Sequence, residues 1–231
     1  MANAGDTIRN PLSGERITFL QTTGDTNGEL LRFEYLIPPG FSIPEHVHPR
    51  QEERHEIVSG TLTGRVGGRE GTFVEGQRVI GPAGIPHAWR NPSDAEGLII
   101  VSELRPALGF EGLIETAFAI AGDLEADKMG APKHLLRLSV LLDGSRDDFY
   151  PTQIPMPAWR AVLALNAALA RAGRSLGYDD GRPGTGEVRG RDGGRLADGR
   201  GARTGLLVAG TAAALVFAWR RGRGRWGVLR G

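Results

Sequence analysis

The chain has 231 residues, a formal charge of +1 at pH 7 and no cysteine. That length suits one sizeable domain with extensions, or two small ones. The missing thiols exclude disulfides and thiolate ligands, so any bound metal must be held by imidazole and carboxylate. The small net charge hides an asymmetry. Residues 1–181 carry 17 basic and 24 acidic side chains (net −7), whereas residues 182–231 carry 11 arginines against Glu187, Asp192 and Asp198 (net +8). An acidic body is a poor platform for nucleic acid, where phosphate contacts dominate affinity, so no nucleic-acid partner is expected.

The opening stretch MANAGDTIRNPLSGERI contains no apolar run. No secretory signal is therefore expected, and the folded body is expected in the cytoplasm. Residues 16–23 (RITFLQTT) are rich in β-formers and read as a first strand. Residues 29–37 (ELLRFEYLI) alternate, with Leu31, Phe33, Tyr35 and Ile37 on one face, and Pro38-Pro39-Gly40 ends the run.

The stretch from Gly40 to Asn91 organises the rest. Its first half, GFSIPEHVHPRQEERHEIVSG, places His46 and His48 two residues apart, so that a strand sends both side chains to one face. Glu53 and His87 then come from other strands. Three imidazoles and one carboxylate make a mixed N/O donor set suited to a divalent transition metal (Fe, Mn, Ni, Cu, Co or Zn), in a site with room for water or substrate. The same four residues can alternatively serve as hydrogen-bonding groups inside a barrel. On the strand of residues 53–59, Glu53, His55 and Ile57 share a face, so His55 is expected inside with Glu53. Two readings of His55 stand side by side: it fills a packing slot, or it is a proton carrier beside the metal.

Residues 61–66 and 69–74 flank Gly67-Gly68, a two-residue loop of the kind that closes a tight hairpin. The second half of the stretch, GQRVIGPAGIPHAWRN, carries His87. Trp89, two residues on, is expected either as an aromatic wall of the pocket or as ordinary core. Residues 97–104 (GLIIVSEL) read as the last buried strand.

The spacings in both halves, G-x5-H-x-H-x4-E-x6-G followed by G-x5-P-x-G-x2-H-x3-N, resemble the two motifs of the cupin superfamily at every fixed position. Gly40, His46, His48, Glu53, Gly60, Gly76, Pro82, Gly84, His87 and Asn91 carry the match. The resemblance implies a mainly β fold, a jelly-roll-like cupin barrel over about residues 12–106 with an α-helical C-terminal extension. It implies metal ligands at His46, His48, Glu53 and His87, with Asn91 closing its strand. Relatives of this kind tend to have an aromatic residue where this chain has His55.

Beyond Pro106 the period becomes helical. Leu113, Ile114, Ala117, Phe118 and Ala121 mark one helix. Residues 135–142 mark a second, with Lys133 and His134 expected in solvent. Pro157 opens a third, in which Val162, Leu165 and Leu169 form a stripe and Gly177 is the stop. This extension, residues 110–177, resembles that of single-domain bacterial cupins. It is expected either to pack on the barrel or across its mouth, or to form a homodimer interface.

Residues 179–204 are Gly/Arg/Asp-rich and expected to be a disordered linker. Residues 205–219 (GLLVAGTAAALVFAW) form an uncharged run of fifteen followed by a basic tail, 220–231. The run is short against the roughly 20 residues of a spanning helix, so membrane contact through 205–231 stands beside a third reading, a tail without selected function. Two lysines against 26 arginines indicate a GC-rich gene, in which a shifted frame gives such a tail.

Two functions follow. One is a metal-dependent enzyme acting on a small molecule, similar to the cupin dioxygenases of the quercetinase type or else an isomerase, with Glu53 and His55 as catalytic groups. The other is a non-catalytic module that binds a small ligand and is tethered to a membrane by its tail.

Overall fold

The computed structural model describes residues 2–125 and 131–179. The linker, apolar run and basic tail anticipated beyond residue 179 lie outside the described residues, apart from Asp179 itself. Among the described residues no helix is long and apolar enough to cross a membrane.

Ten strands in chain order build the body: β1 Thr7–Arg9, β2 Arg16–Gln21, β3 Leu31–Ile37, β4 Ser42–Val47, β5 Glu52–Ser59, β6 Thr61–Val66, β7 Arg69–Val74, β8 Arg78–Gly81, β9 His87–Arg90 and β10 Leu98–Arg105. Three helices follow, α1 Phe110–Glu125, α2 Ala131–Gly144 and α3 Met156–Ser175, with a short strand β11 Tyr150–Pro151 between the last two. The strands form two antiparallel sheets rather than one closed ring, ordered β1-β2-β3-β10-β5-β8 and β11-β4-β9-β6-β7. This is the cupin fold with a helical extension.

The alternation in β3 buries Leu31, Phe33, Tyr35 and Ile37, and β10 answers with Leu98, Ile100 and Leu104 across the same register. These side chains fill the space between the sheets together with Phe19, Ile57, Leu62 and Trp89. The hairpin between β6 and β7 turns through Gly67 and Gly68, both at positive φ (+55° and +81°), as a type I′ turn requires. Asn91 ties the end of β9 to the end of β3. Its amide donates to the carbonyls of Ile37, Pro38 and Glu96 at 2.9–3.1 Å.

In the extension, α2 packs against both α1 and α3. Coverage on two sides corrects the expectation for His134, which is only 5% exposed, whereas Lys133 is in solvent as anticipated. The stripe of Val162, Leu165 and Leu169 lies along one side of α3 but is not the face the helix buries. The face that α3 buries is Trp159, Asn166, Ala170 and Gly173, while Leu165 is 72% exposed. Close packing explains the choice, since a Cβ at Gly173 would lie 2.6 Å from Val140 and 2.9 Å from the Leu136 carbonyl.

Candidate metal centre

The four side chains singled out by spacing converge. His46 belongs to β4, His48 follows its end, Glu53 stands on β5 and His87 opens β9, with His46 and His87 directly paired across the two strands. One donor atom from each lies within 4.8 Å of the others. His48, Glu53 and His87 are buried and His46 is partly exposed. The β4/β9 register slips between Ile43 and His46. Pro44 sits in that slip, where a residue without an N–H costs no ladder bond.

The tautomers are set by the backbone. His46 Nδ1–H donates to the Pro44 carbonyl at 2.8 Å, His48 Nδ1–H to the Asp148 carbonyl at 3.0 Å, and His87 Nδ1–H to the Ile85 carbonyl at 2.8 Å. A carbonyl can only accept, so each neutral ring carries its lone pair on Nε2. The Nε2 atoms of His46 and His48 stand 3.2 Å apart. His87 Nε2 is 3.1 Å from Glu53 Oε2 yet makes no aligned hydrogen bond and is buried. Buried lone pairs facing one another beside a carboxylate lack a positive centre, and backbone-oriented imidazoles are the arrangement metal ligands use. The donor set therefore fits a divalent metal.

Burial lowers His46 to about 4 and lowers His48 as well, so both are neutral at pH 7. For His87 burial also pulls downward, but the adjoining Glu53 carboxylate outweighs it and the net shift is upward. Burial alone would raise Glu53, whereas His55, His87 and His48 around it hold its carboxyl well below the ordinary range.

Behind the ligands lies a supporting group. Trp89, 1% exposed, donates from Nε1 to Glu53 Oε2 at 2.9 Å, and its ring meets His55 edge to face at 4.7 Å. Of the two readings of Trp89 the structure bears out ordinary core, to which it adds a hydrogen bond to the carboxylate. His55 is buried as its face predicts. Its Nδ1 is bonded to Ser102 Oγ at 2.9 Å and its Nε2 stands 3.5 Å from Glu53 Oε1. Burial lowers its pKa, leaving a neutral ring beside an ionised carboxylate. Deeper among the inward-facing residues, Tyr35 donates to the buried Glu15, which also accepts from Ser13.

Two contributions were not legible from motif spacing. The first is a pair of glycines. A Cβ on Gly81 would meet three ring atoms of His87 at 2.9–3.1 Å, and one on Gly64 would strike the Trp89 ring at 2.6 Å. A glycine inside a strand is the available signal for such close approach. The second is the segment joining α2 to α3. Strand β11 adds to the free edge of β4, pairing Tyr150 with Val47 and Pro151 with His46. Around it Asp148 receives His48, Arg50 pairs with Asp148 at 3.1 Å, and Thr152 Oγ1 donates to Glu45 Oε1 at 2.7 Å. Phe149 and Phe110 bring their rings to 6.4 and 5.8 Å from that of His48. The extension thus reaches the ligand side of the barrel.

Residues 33–102 match the family model of the cupin domain. Fold and match agree, and the chain carries a cupin domain whose His/Glu cluster can hold a metal. Among solved structures, an RmlC-like cupin from Shewanella frigidimarina NCIMB 400 is 21% identical, the match covering 46% of this chain and 90% of that one with a TM-score of 0.39. A predicted oxalate decarboxylase from Thermotoga maritima is 18% identical over 44% of this chain and 90% of that one, TM-score 0.39. A sugar phosphate isomerase of the cupin superfamily from Silicibacter pomeroyi DSS-3 is 23% identical over 39% and 59%, TM-score 0.34. No curated protein matches the chain.

Proposed function

We propose that His46, His48, Glu53 and His87 bind one divalent transition metal and that the protein is a metal-dependent enzyme acting on a small molecule. The observation that carries this reading is the common orientation of the three rings, each held through Nδ1 by a backbone carbonyl so that Nε2 faces Glu53 and its neighbours. A divalent metal held by these four residues would supply Lewis acidity and, if redox-active, dioxygen chemistry of the quercetinase type.

The remaining roles fall to the chain. Glu53, ionised and fixed by Trp89, balances the charge of the site. His55, neutral and backed by Ser102, is the group placed to accept a proton passed along Glu53 and to return it. Substrate approach is assigned to the side of His46, the one residue of the four that is not fully buried.

The test is metal content of the full-length protein, purified without an affinity tag, beside a His48→Ala variant. About one transition metal per chain, lost in the variant, is expected. No uptake by the wild type after equilibration with Fe(II), Mn(II), Ni(II) and Zn(II) overturns the proposal and leaves a small-ligand-binding module.

A further inference from the structure

Helix α3 has three faces rather than two. Trp159, Asn166, Ala170 and Gly173 are buried. Arg160, Arg171 and Arg174 stand on another side, all exposed, with Arg174 reaching Asp143 at 2.6 Å. The third face is an apolar seam of Ala158, Val162, Leu165, Leu169, Ala172 and Leu176, at successive spacings of 4, 3, 4, 3 and 4 residues. Leu165, Leu169 and Leu176 are 72%, 37% and 65% exposed, although the helix had a buried face available to it. The seam carries no charge over about 27 Å of helix. Such a run of exposed leucines at heptad spacing marks a contact surface.

The order of residues names the occupant. The seam is symmetric about position 167: turning a second copy end to end sets Ala158 against Leu176, Val162 against Ala172, and Leu165 against Leu169. Small faces large in the two outer layers, and leucine meets leucine at the centre. That is self-complementarity under a two-fold axis, in which the same patch serves both partners. Along one border Ala161, Ala168 and Ser175 recur every seven residues, all small and exposed, and so permit close approach of two backbones. The arginines lie away from the seam, so two positively charged helices meet there without like charges opposed. The helix ends in a Schellman cap, with Gly177 N–H on the Arg174 carbonyl at 2.9 Å and Tyr178 N–H on the Gly173 carbonyl at 3.2 Å, which fixes the seam's length.

We infer that the protein is a homodimer joined by antiparallel packing of α3 against α3 of a second copy, through the seam from Ala158 to Leu176.

The test uses the full-length chain. Light scattering after gel filtration is expected to give twice the 24.7 kDa chain mass for the wild type. The Leu165→Glu/Leu169→Glu variant is expected at the single-chain mass with unchanged circular dichroism, since both side chains are solvent-facing. Orientation is read independently, because the chain contains no cysteine. An equimolar mixture of Ala158→Cys and Leu176→Cys proteins should form a disulfide between unlike chains, and neither protein alone should. A monomeric wild type, which would leave residues 205–219 of the same chain or a lipid surface as the occupant, overturns the inference. So does a dimer that persists in the double variant, or cross-linking of Ala158→Cys to itself.

Discussion

Gly81→Ala perturbs the metal centre without removing any donor. The added methyl would sit 2.9, 3.0 and 3.1 Å from Nδ1, Cγ and Cε1 of His87, short of the 3.4 Å at which ordinary contact begins. The ring must therefore withdraw by about half an ångström, and it is wholly buried between Trp89 and Glu53. Withdrawal strains the 2.8 Å bond from Nδ1 to the Ile85 carbonyl and turns Nε2 away from its partners. Overpacking of this kind costs roughly 1–3 kcal/mol, offset by about 0.4–1 kcal/mol from the stiffer unfolded chain. The loss of ring orientation should weaken metal binding about 10–100-fold. Competition titration with a chromophoric chelator measures the affinity, and urea unfolding of the metal-free protein measures the stability. If affinity stays within about twofold of wild type and stability is unchanged, β8 does not press on His87, and the account of how that ring is held is wrong.

Metal uptake should release protons. Burial lowers His46 and His48 and favours their neutral, ligating forms, whereas His87 is raised by Glu53 and must lose its proton to become a ligand; calorimetry at pH 6.5 in buffers of differing ionisation enthalpy should report net proton release on binding, and none would refute the linkage. The metal-free protein should lose stability as pH falls from 6.5 toward 4, since the unfolded chain takes up protons that buried His46, His48 and His55 resist while His87 pulls the other way; urea midpoints at pH 7 and pH 5 check the sign. His55→Phe should retain the metal and the fold but lower turnover at least about 100-fold, and unchanged turnover would reduce His55 to packing. Metal binding should slow backbone hydrogen exchange in residues 148–153, because the Asp148 carbonyl and β11 hold His48 and His46; equal exchange with and without metal would disconnect the extension from the site.

Where function depended on side chains at fixed spacing, the sequence was informative. The ten motif positions place the four donors, and the alternation in residues 31–37 places the inner face of the barrel, because a strand's period of two leaves no choice once one face is buried. The face shared by Glu53 and Ile57 brought His55 inside for the same reason. Where the structure relies on backbone atoms or on missing atoms, the sequence was silent. The acceptor that orients His48 is a carbonyl 100 residues away, and any residue at position 148 would offer one. Gly81 and Gly64 act through the Cβ they lack, which no spacing records. His134 is buried where solvent was expected, because an amphipathic period says that a helix has faces, not which neighbour covers each.

The segment from Asp148 to Gln153 changes what the helical extension is for. Without β11 the five-stranded sheet would end at β4, and an edge strand that carries His46 and leads directly into His48 would be free to fray or to pair with another chain. Here β11 occupies that edge opposite His46 and Val47, the Gln153 amide donates to the Glu45 carbonyl at 2.9 Å, and Asp148 fixes the ring of His48. Because β11 lies between α2 and α3, the packing that seats those helices also sets the reach of the Asp148 carbonyl. Tyr150 and Pro151 are themselves held by main-chain pairing, so their side chains need not be special for the role.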